Sequence, residues 1–160
     1  MSNKAKIKIK GKTNQPAAKT EKIKSSPGKS FWPWLLPVLA VTAISLSPML
    51  SNGFTNWDDE LYVTQNPLLK GPDWNAIFTQ ASASNYHPLT ILSLSFNYAI
   101  SGVDPFSYHF VNWLLHILNT ALVFLFIYKI SGKKTYVAAF AAIVFGVHPM
   151  HVESVAWVSE

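Results

Sequence analysis

Residues 31–50 read FWPWLLPVLAVTAISLSPML, twenty positions without a charge. At 1.5 Å per residue a helix of that length is about 30 Å long, the thickness of a bilayer's hydrocarbon core. Trp32 and Trp34 stand at its start, where amphipathic rings prefer the headgroup level. A cleaved signal peptide is the rival reading. It would want a shorter charged region before the apolar stretch and a clear small-residue cleavage pattern, and no further spans after it. The segment therefore reads as an anchor helix, and its neighbours on both sides fix how it sits.

On the N-terminal side, residues 1–30 hold nine lysines against the single acid Glu21, a local charge of +8. The tail alternates lysine with Pro, Gly and Ser and has almost nothing to bury, so it is expected to be disordered. Such a tail ahead of an apolar span keeps the N-terminus cytoplasmic by the positive-inside rule. A nucleic-acid arm is the alternative, and the spans that follow argue against it. The remaining 130 residues hold four lysines against seven acids, a charge of −3.

Composition narrows the class further. Of 160 residues, 49% are hydrophobic and 13% charged, with a mean hydropathy of +0.19. An average soluble domain is about 25% charged. Cysteine and arginine are both absent. That excludes disulfides, thiolate metal sites and a cysteine nucleophile, and it removes any bidentate guanidinium clamp from this chain.

Two more spans are expected on the C-terminal side. Asp104-Pro105 is a helix-start pair, N-cap followed by a proline at the first helical position. It opens an apolar stretch to Ile130 that ends at Ser131-Gly132-Lys133-Lys134. A third span opens at Thr135 and is expected to run as far as about residue 158 in order to cross. The short basic turn at 131–134 reads as cytoplasmic. Loop 51–104, with five acids and one lysine (Lys70), then lies outside. The fold class is all-α: three membrane helices, an outer loop of short interfacial helices and a disordered tail. Asp73–Gln80 is expected to form a short capped helix. Pro88–Ile100, too short to cross, is expected to lie along the outer interface with Trp74 and Tyr86 at that level.

Polar residues in the second span follow a helical stripe. His109, Asn112, His116 and Asn119 fall within an arc of about 80° at 100° per residue. Interhelical hydrogen bonding and the lining of a cavity both account for it. In the third span Ala138, Ala142 and Gly146 form a small-xxx-small face for close helix contact. Both stripes demand neighbours, so the chain is read as the N-terminal piece of a larger polytopic protein.

Chemistry-bearing residues concentrate on the outer side. Asp58-Asp59-Glu60 place three carboxylates together, which can poise one as a base or bind a cation; a solvated acidic turn is the structural alternative. His148, His151 and Glu153 could ligate a metal, hold a phosphate or cap a kinked helix. Tyr86 and His87 map to the same face. No cofactor is identified, and a divalent metal held partly by Asp59 or Glu60 is left open.

Three blocks occur in order: Gly53-Phe54-Thr55-Asn56-Trp57-Asp58-Asp59-Glu60-Leu61-Tyr62-Val63, then Asn85-Tyr86-His87-Pro88-Leu89-Thr90, then His148-Pro149-Met150-His151-Val152-Glu153-Ser154-Val155-Ala156-Trp157. From about Phe31 onward the chain resembles the N-terminal membrane part of the tetratricopeptide-repeat-bearing GT-C glycosyltransferases, the TMTC-like group. The resemblance implies a transferase that uses a lipid-phosphate-linked sugar on the outer membrane face. The acceptor would be a protein or glycan hydroxyl, and the only other partner implied is membrane lipid. It also implies that the first outer loop carries an acid pair with one member as base, here Asp58 and Asp59. Related chains often carry Asp-Glu there, so the register of the pair is open by one residue. Glu60, Tyr86, His87, His148, His151 and Glu153 are then the expected substrate-binding residues, with Lys70 a further candidate for the phosphate. The 160 residues by themselves are expected to be inactive. A non-catalytic anchor or assembly module is the alternative from another class.

Overall fold

The computed structural model describes residues 30–159 apart from 72, 83 and 84. The expectations for the lysine tail therefore fall outside the described residues. Among these, the structure is helical. Its helices are α1 (Trp32–Leu46), α2 (Pro67–Lys70), α3 (Trp74–Thr79), α4 (Pro88–Ser101), α5 (Pro105–Ile130), α6 (Thr135–Gly146) and α7 (His151–Ala156).

Helix starts follow local chemistry. Asp104 Oδ1 accepts from the Phe106 amide at 3.3 Å, with Pro105 at the first helical position of α5. Asp73 Oδ1 caps α3 by accepting from the Asn75 and Ala76 amides at 2.9 and 3.2 Å. Asn66 does the same for α2, accepting from Leu68 at 3.0 Å. Each cap satisfies amides that have no partner within the helix.

Among the described residues, two stretches are long and apolar enough to cross a membrane: Trp32–Ser51, where Pro48 tightens the end of α1 into a 3₁₀ segment over Ser47–Ser51, and Pro105–Ile130. The third differs from the single span expected. Helix α6 has 12 residues, about 18 Å, and stops at Gly146. Pro149 disfavours helical backbone at His148 and lacks the amide that would continue the ladder. The chain turns over residues 147–150 and resumes as the six-residue α7.

Helices α1, α5 and α6 form an antiparallel bundle. Phe31, just before α1, packs against Tyr128 in the last turns of α5, with ring centroids 5.5 Å apart and the rings tilted. Towards the other end, the Trp113 indole Nε1 donates to the Ala43 carbonyl at 3.0 Å. Helices α5 and α6 reverse through Gly132 and Lys133, both at positive φ (70° and 66°). The bundle core comprises Leu35, Val38, Phe124, Ala138, Ala139 and Ala142. Ala138 and Ala142 are fully buried, as the small-residue stripe requires.

Gly146 marks the tightest approach. A Cβ there would run into the Thr42 hydroxyl and lie 3.1–3.2 Å from Thr120. Only glycine admits that three-helix contact.

The loop between α1 and α5 has its own core. Tyr62, Val63, Leu69, Ile77, Ile91 and Leu94 pack with Tyr108 of α5 and with Val158 beyond α7. The loop is therefore a folded cap on one end of the bundle. Helix α4, 14 residues or about 21 Å, is too short to span, and Trp74 and Tyr86 are exposed. Lys129, Lys133 and Lys134 lie at the opposite end of the bundle from this cap.

Candidate functional site

The candidate residues Asp58, Asp59, Glu60, Tyr86, His87, His148, His151 and Glu153 lie at the capped end, where α1 finishes, α5 begins and α6 ends. They form two groups rather than one.

The first group is built on Asp59, which is 1% exposed. Its Oδ2 accepts from the Thr55 amide at 2.9 Å and from the Thr55 hydroxyl at 3.2 Å. Its Oδ1 accepts from the Ser159 amide at 3.1 Å, one hundred residues along the chain. Asp59 thus ties the first loop to the segment after α7, and both its oxygens are engaged. Asp58 beside it is half-buried. Glu60 is exposed; its carboxylate accepts from Gln65 Nε2 at 3.3 Å. The backbone over Glu60–Thr64 is a single π-type turn, closed by Gln65 N–H on Glu60 C=O at 2.8 Å. Such turns are rare, and they often mark functional positions.

Behind this turn sits the Asn85-Tyr86-His87 block. The His87 ring packs on Tyr62 with centroids 5.0 Å apart, and Asn85 Nδ2 donates to the Tyr62 hydroxyl at 3.3 Å. His87 Nε2 is buried without a partner among the described residues. Tyr86 turns away: it is 63% exposed, and its hydroxyl donates to the Phe78 carbonyl at 2.9 Å. The two acidic and aromatic blocks of the sequence therefore meet through Tyr62, but Tyr86 serves the loop's own structure.

The second group is an imidazole cluster. His151 lies 4.5 Å from Phe145 and 5.5 Å from His116 between ring centroids, with His148 6.1 Å away. His116 Nε2 is 3.0 Å from the Gly146 carbonyl. A carbonyl can only accept, so Nε2 carries the proton and Nδ1 is left as an acceptor. His148 has the complementary arrangement: its Nδ1 accepts from the Met150 amide at 3.2 Å, which leaves Nε2–H as an outward donor. Burial, with His116 and His148 adding to it, pushes the His151 ring below its usual 6.5. A neutral imidazole there can donate or accept.

Glu153 does not join the histidines. It is exposed, and two residues along α7 from His151 it points about 200° away. Among the described residues, no three His, Asp or Glu side chains converge as a metal-ligand set. A metal held by His148, His151 and Glu153 is therefore not supported by their placement.

The polar stripe on α5 does both things expected of it. Asn112 Nδ2 donates to the Trp157 carbonyl at 3.0 Å and His116 bonds Gly146, so these two are interhelical. Asn112, His116 and Asn119 also line a cavity of about 410 Å³ with Phe145, His151 and Ser154. His109 is buried, and neither of its nitrogens has a partner among the described residues. The links through Ser159, Trp157 and Gly146 were beyond sequence reading, because each uses a backbone atom far away in the chain.

These features define an all-α membrane protein whose capped bundle end gathers an acidic turn and an imidazole cluster. Comparison with known proteins gives it relatives. The chain is 37% identical over 117 residues to the human protein O-mannosyl-transferase TMTC2, covering 67% of this chain and 14% of the relative. Drosophila melanogaster Tmtc1, another protein O-mannosyl-transferase, is 38% identical over 90 residues, 56% of this chain and 10% of that protein. A Caenorhabditis elegans protein O-mannosyl-transferase is 30% identical over 138 residues, covering 74% and 19% respectively. About two thirds of the chain is thus a TMTC-like segment, and it spans about one seventh of the length of the relatives first matched. No family model and no solved structure matches it.

Proposed function

We propose that this chain forms the acid-bearing part of a membrane glycosyltransferase. The enzyme moves a sugar, mannose by analogy with the named relatives, from a polyprenyl-phosphate donor to a Ser or Thr hydroxyl on the outer membrane face. The observation that carries the reading is the arrangement along α7. Histidines stand at its start, and the segment just past its end holds Asp59 and so sets the position of Asp58. Helix α7 itself spans six residues, about 9 Å.

In the proposed reaction the acceptor hydroxyl oxygen attacks the anomeric carbon while the carbon–oxygen bond to the phosphate breaks. Asp58 takes the hydroxyl proton, and the polyprenyl phosphate departs with the bonding pair. The leaving group is already a good one, so a base matters more than a strong acid. His148 Nε2–H is a donor for the charge that develops on the departing phosphate. Asp59, its lone pairs engaged, is assigned to holding Asp58 rather than to proton transfer. Orientation rests on charge: the lysines of 129–134 and the basic tail belong inside, and the acidic cap outside.

The test uses the full-length gene product in sealed membranes, with labelled polyprenyl-phosphate mannose and a nucleotide mannose offered separately to Ser/Thr peptides. The expected result is transfer from the lipid donor alone, with the opposite anomeric configuration in the product. Transfer from neither donor to well-folded protein would favour the anchor-module reading.

A further inference from the structure

A second cavity adjoins the polar one. The polar cavity, about 410 Å³, lies between α5, α6 and α7 and presents Asn112, His116, Asn119, His151 and Ser154. Beside it is an open groove of about 510 Å³ lined by Val123, Ala141, Val144, Phe145 and Met150, with His148 and His151. The two share Phe145 and His151. Small-molecule sites commonly have volumes of roughly 300–1,000 Å³ and combine apolar walls with a few convergent polar groups. The first cavity carries most of the polar groups, beside Leu115, Phe145 and Val155, the second is mainly apolar, and His151 stands where they meet.

The geometry points to an amphiphilic ligand laid across both: a sugar ring in the polar cavity, a phosphate at His148 and His151, and an isoprenoid chain along Val123, Ala141 and Val144. Three observations support this occupant. The polar groups of the first cavity are two amides, a hydroxyl and two imidazoles, set among Leu115, Phe145 and Val155 with no lysine or carboxylate, which suits neutral sugar hydroxyls better than an anion. The tautomers fixed by Gly146 and Met150 supply an acceptor at His116 Nδ1 towards the ring and a donor at His148 Nε2 towards the phosphate. The groove runs along α6 and α5, helices whose flanking faces expose Phe126, Leu122, Phe140 and Val144, as a chain lying in hydrocarbon would need. This inference rests on the proposed transferase reading and adds to it the residues that hold each part of the donor.

The experiment measures binding of polyprenyl-phosphate mannose, and of the sugarless polyprenyl phosphate, to the full-length protein in nanodiscs. Asn119→Ala and Ser154→Ala alter exposed side chains, so each is expected to fold, and either one suffices if the other does not. Each is expected to weaken the mannosyl lipid about fivefold, the effect of one neutral hydrogen bond, and to leave the sugarless lipid unchanged. His148→Ala is expected to weaken both lipids alike. The assignment is overturned if both lipids respond equally to Asn119→Ala and Ser154→Ala, or if neither responds. A wild type that binds neither lipid overturns the transferase reading as well. Normal wild-type binding with unaffected variants overturns the cavity assignment alone.

Discussion

Gly146→Ala is the most informative single change to the bundle. The added Cβ would meet the Thr42 hydroxyl and would lie 3.1 and 3.2 Å from the Thr120 side chain. Thr42 and Thr120 are both fully buried. Thr42 cannot simply swing aside, because a β-branched side chain exchanges its hydroxyl for its methyl when χ1 turns. The helices must part instead. Overpacking of this kind costs about 1–3 kcal/mol. Parting α5 from α6 also strains the His116–Gly146 hydrogen bond, and an interhelical bond in a membrane is worth about 0.6 kcal/mol. A loss of about 2 kcal/mol is expected, or roughly thirtyfold in the unfolding constant. Tryptophan fluorescence during SDS-driven unfolding in mixed micelles reports it. Thr42→Ala should relieve most of the clash, so the double mutant should show a favourable coupling of about 1 kcal/mol. Wild-type stability in Gly146→Ala, or no coupling with Thr42→Ala, would refute the three-helix contact.

Two other outcomes separate structure from chemistry. Asp59→Ala strands the Thr55 and Ser159 amides and should cost about 3 kcal/mol of stability, whereas Asp58→Asn should change the same unfolding curve by no more than about 0.5 kcal/mol. Lowering the pH gives a further check through His151, whose folded form binds protons more weakly than its unfolded form. The stabilisation is fully present above pH 6.5 and is lost as the pH falls from there to the lowered folded value, so a stability–pH titration should slope in that window and flatten in His151→Asn.

Much of this architecture was legible in the residues. Asp104-Pro105 and the run to Ile130 gave α5 its boundaries, because capping and apolar length are local properties. Asp73 announced α3 in the same way. The spacing of Ala138, Ala142 and Gly146 anticipated a close seam without saying that Thr42 and Thr120 would fill it. The third span is expected from hydropathy to run to about residue 158, whereas α6 ends at Gly146: hydropathy does not register a proline, and the backbone at His148-Pro149 turns whatever the neighbouring side chains prefer. The acidic turn was visible as a cluster, but not the unequal fates of its members. Asp59 is fixed by a backbone amide a hundred residues away, a contact with no sequence pattern. Glu153 looked like a partner of the histidines only because proximity in sequence is not proximity on a helix face.

In the proposed reaction Asp58 accepts the acceptor's proton. Steady-state transfer by Asp58→Asn, in full-length protein of matched abundance and thermal stability, tests it most directly. A fall in kcat of at least about a hundredfold is expected, with donor binding retained. A kcat within about threefold of wild type, well short of the hundredfold effect expected of a general base, would contradict it.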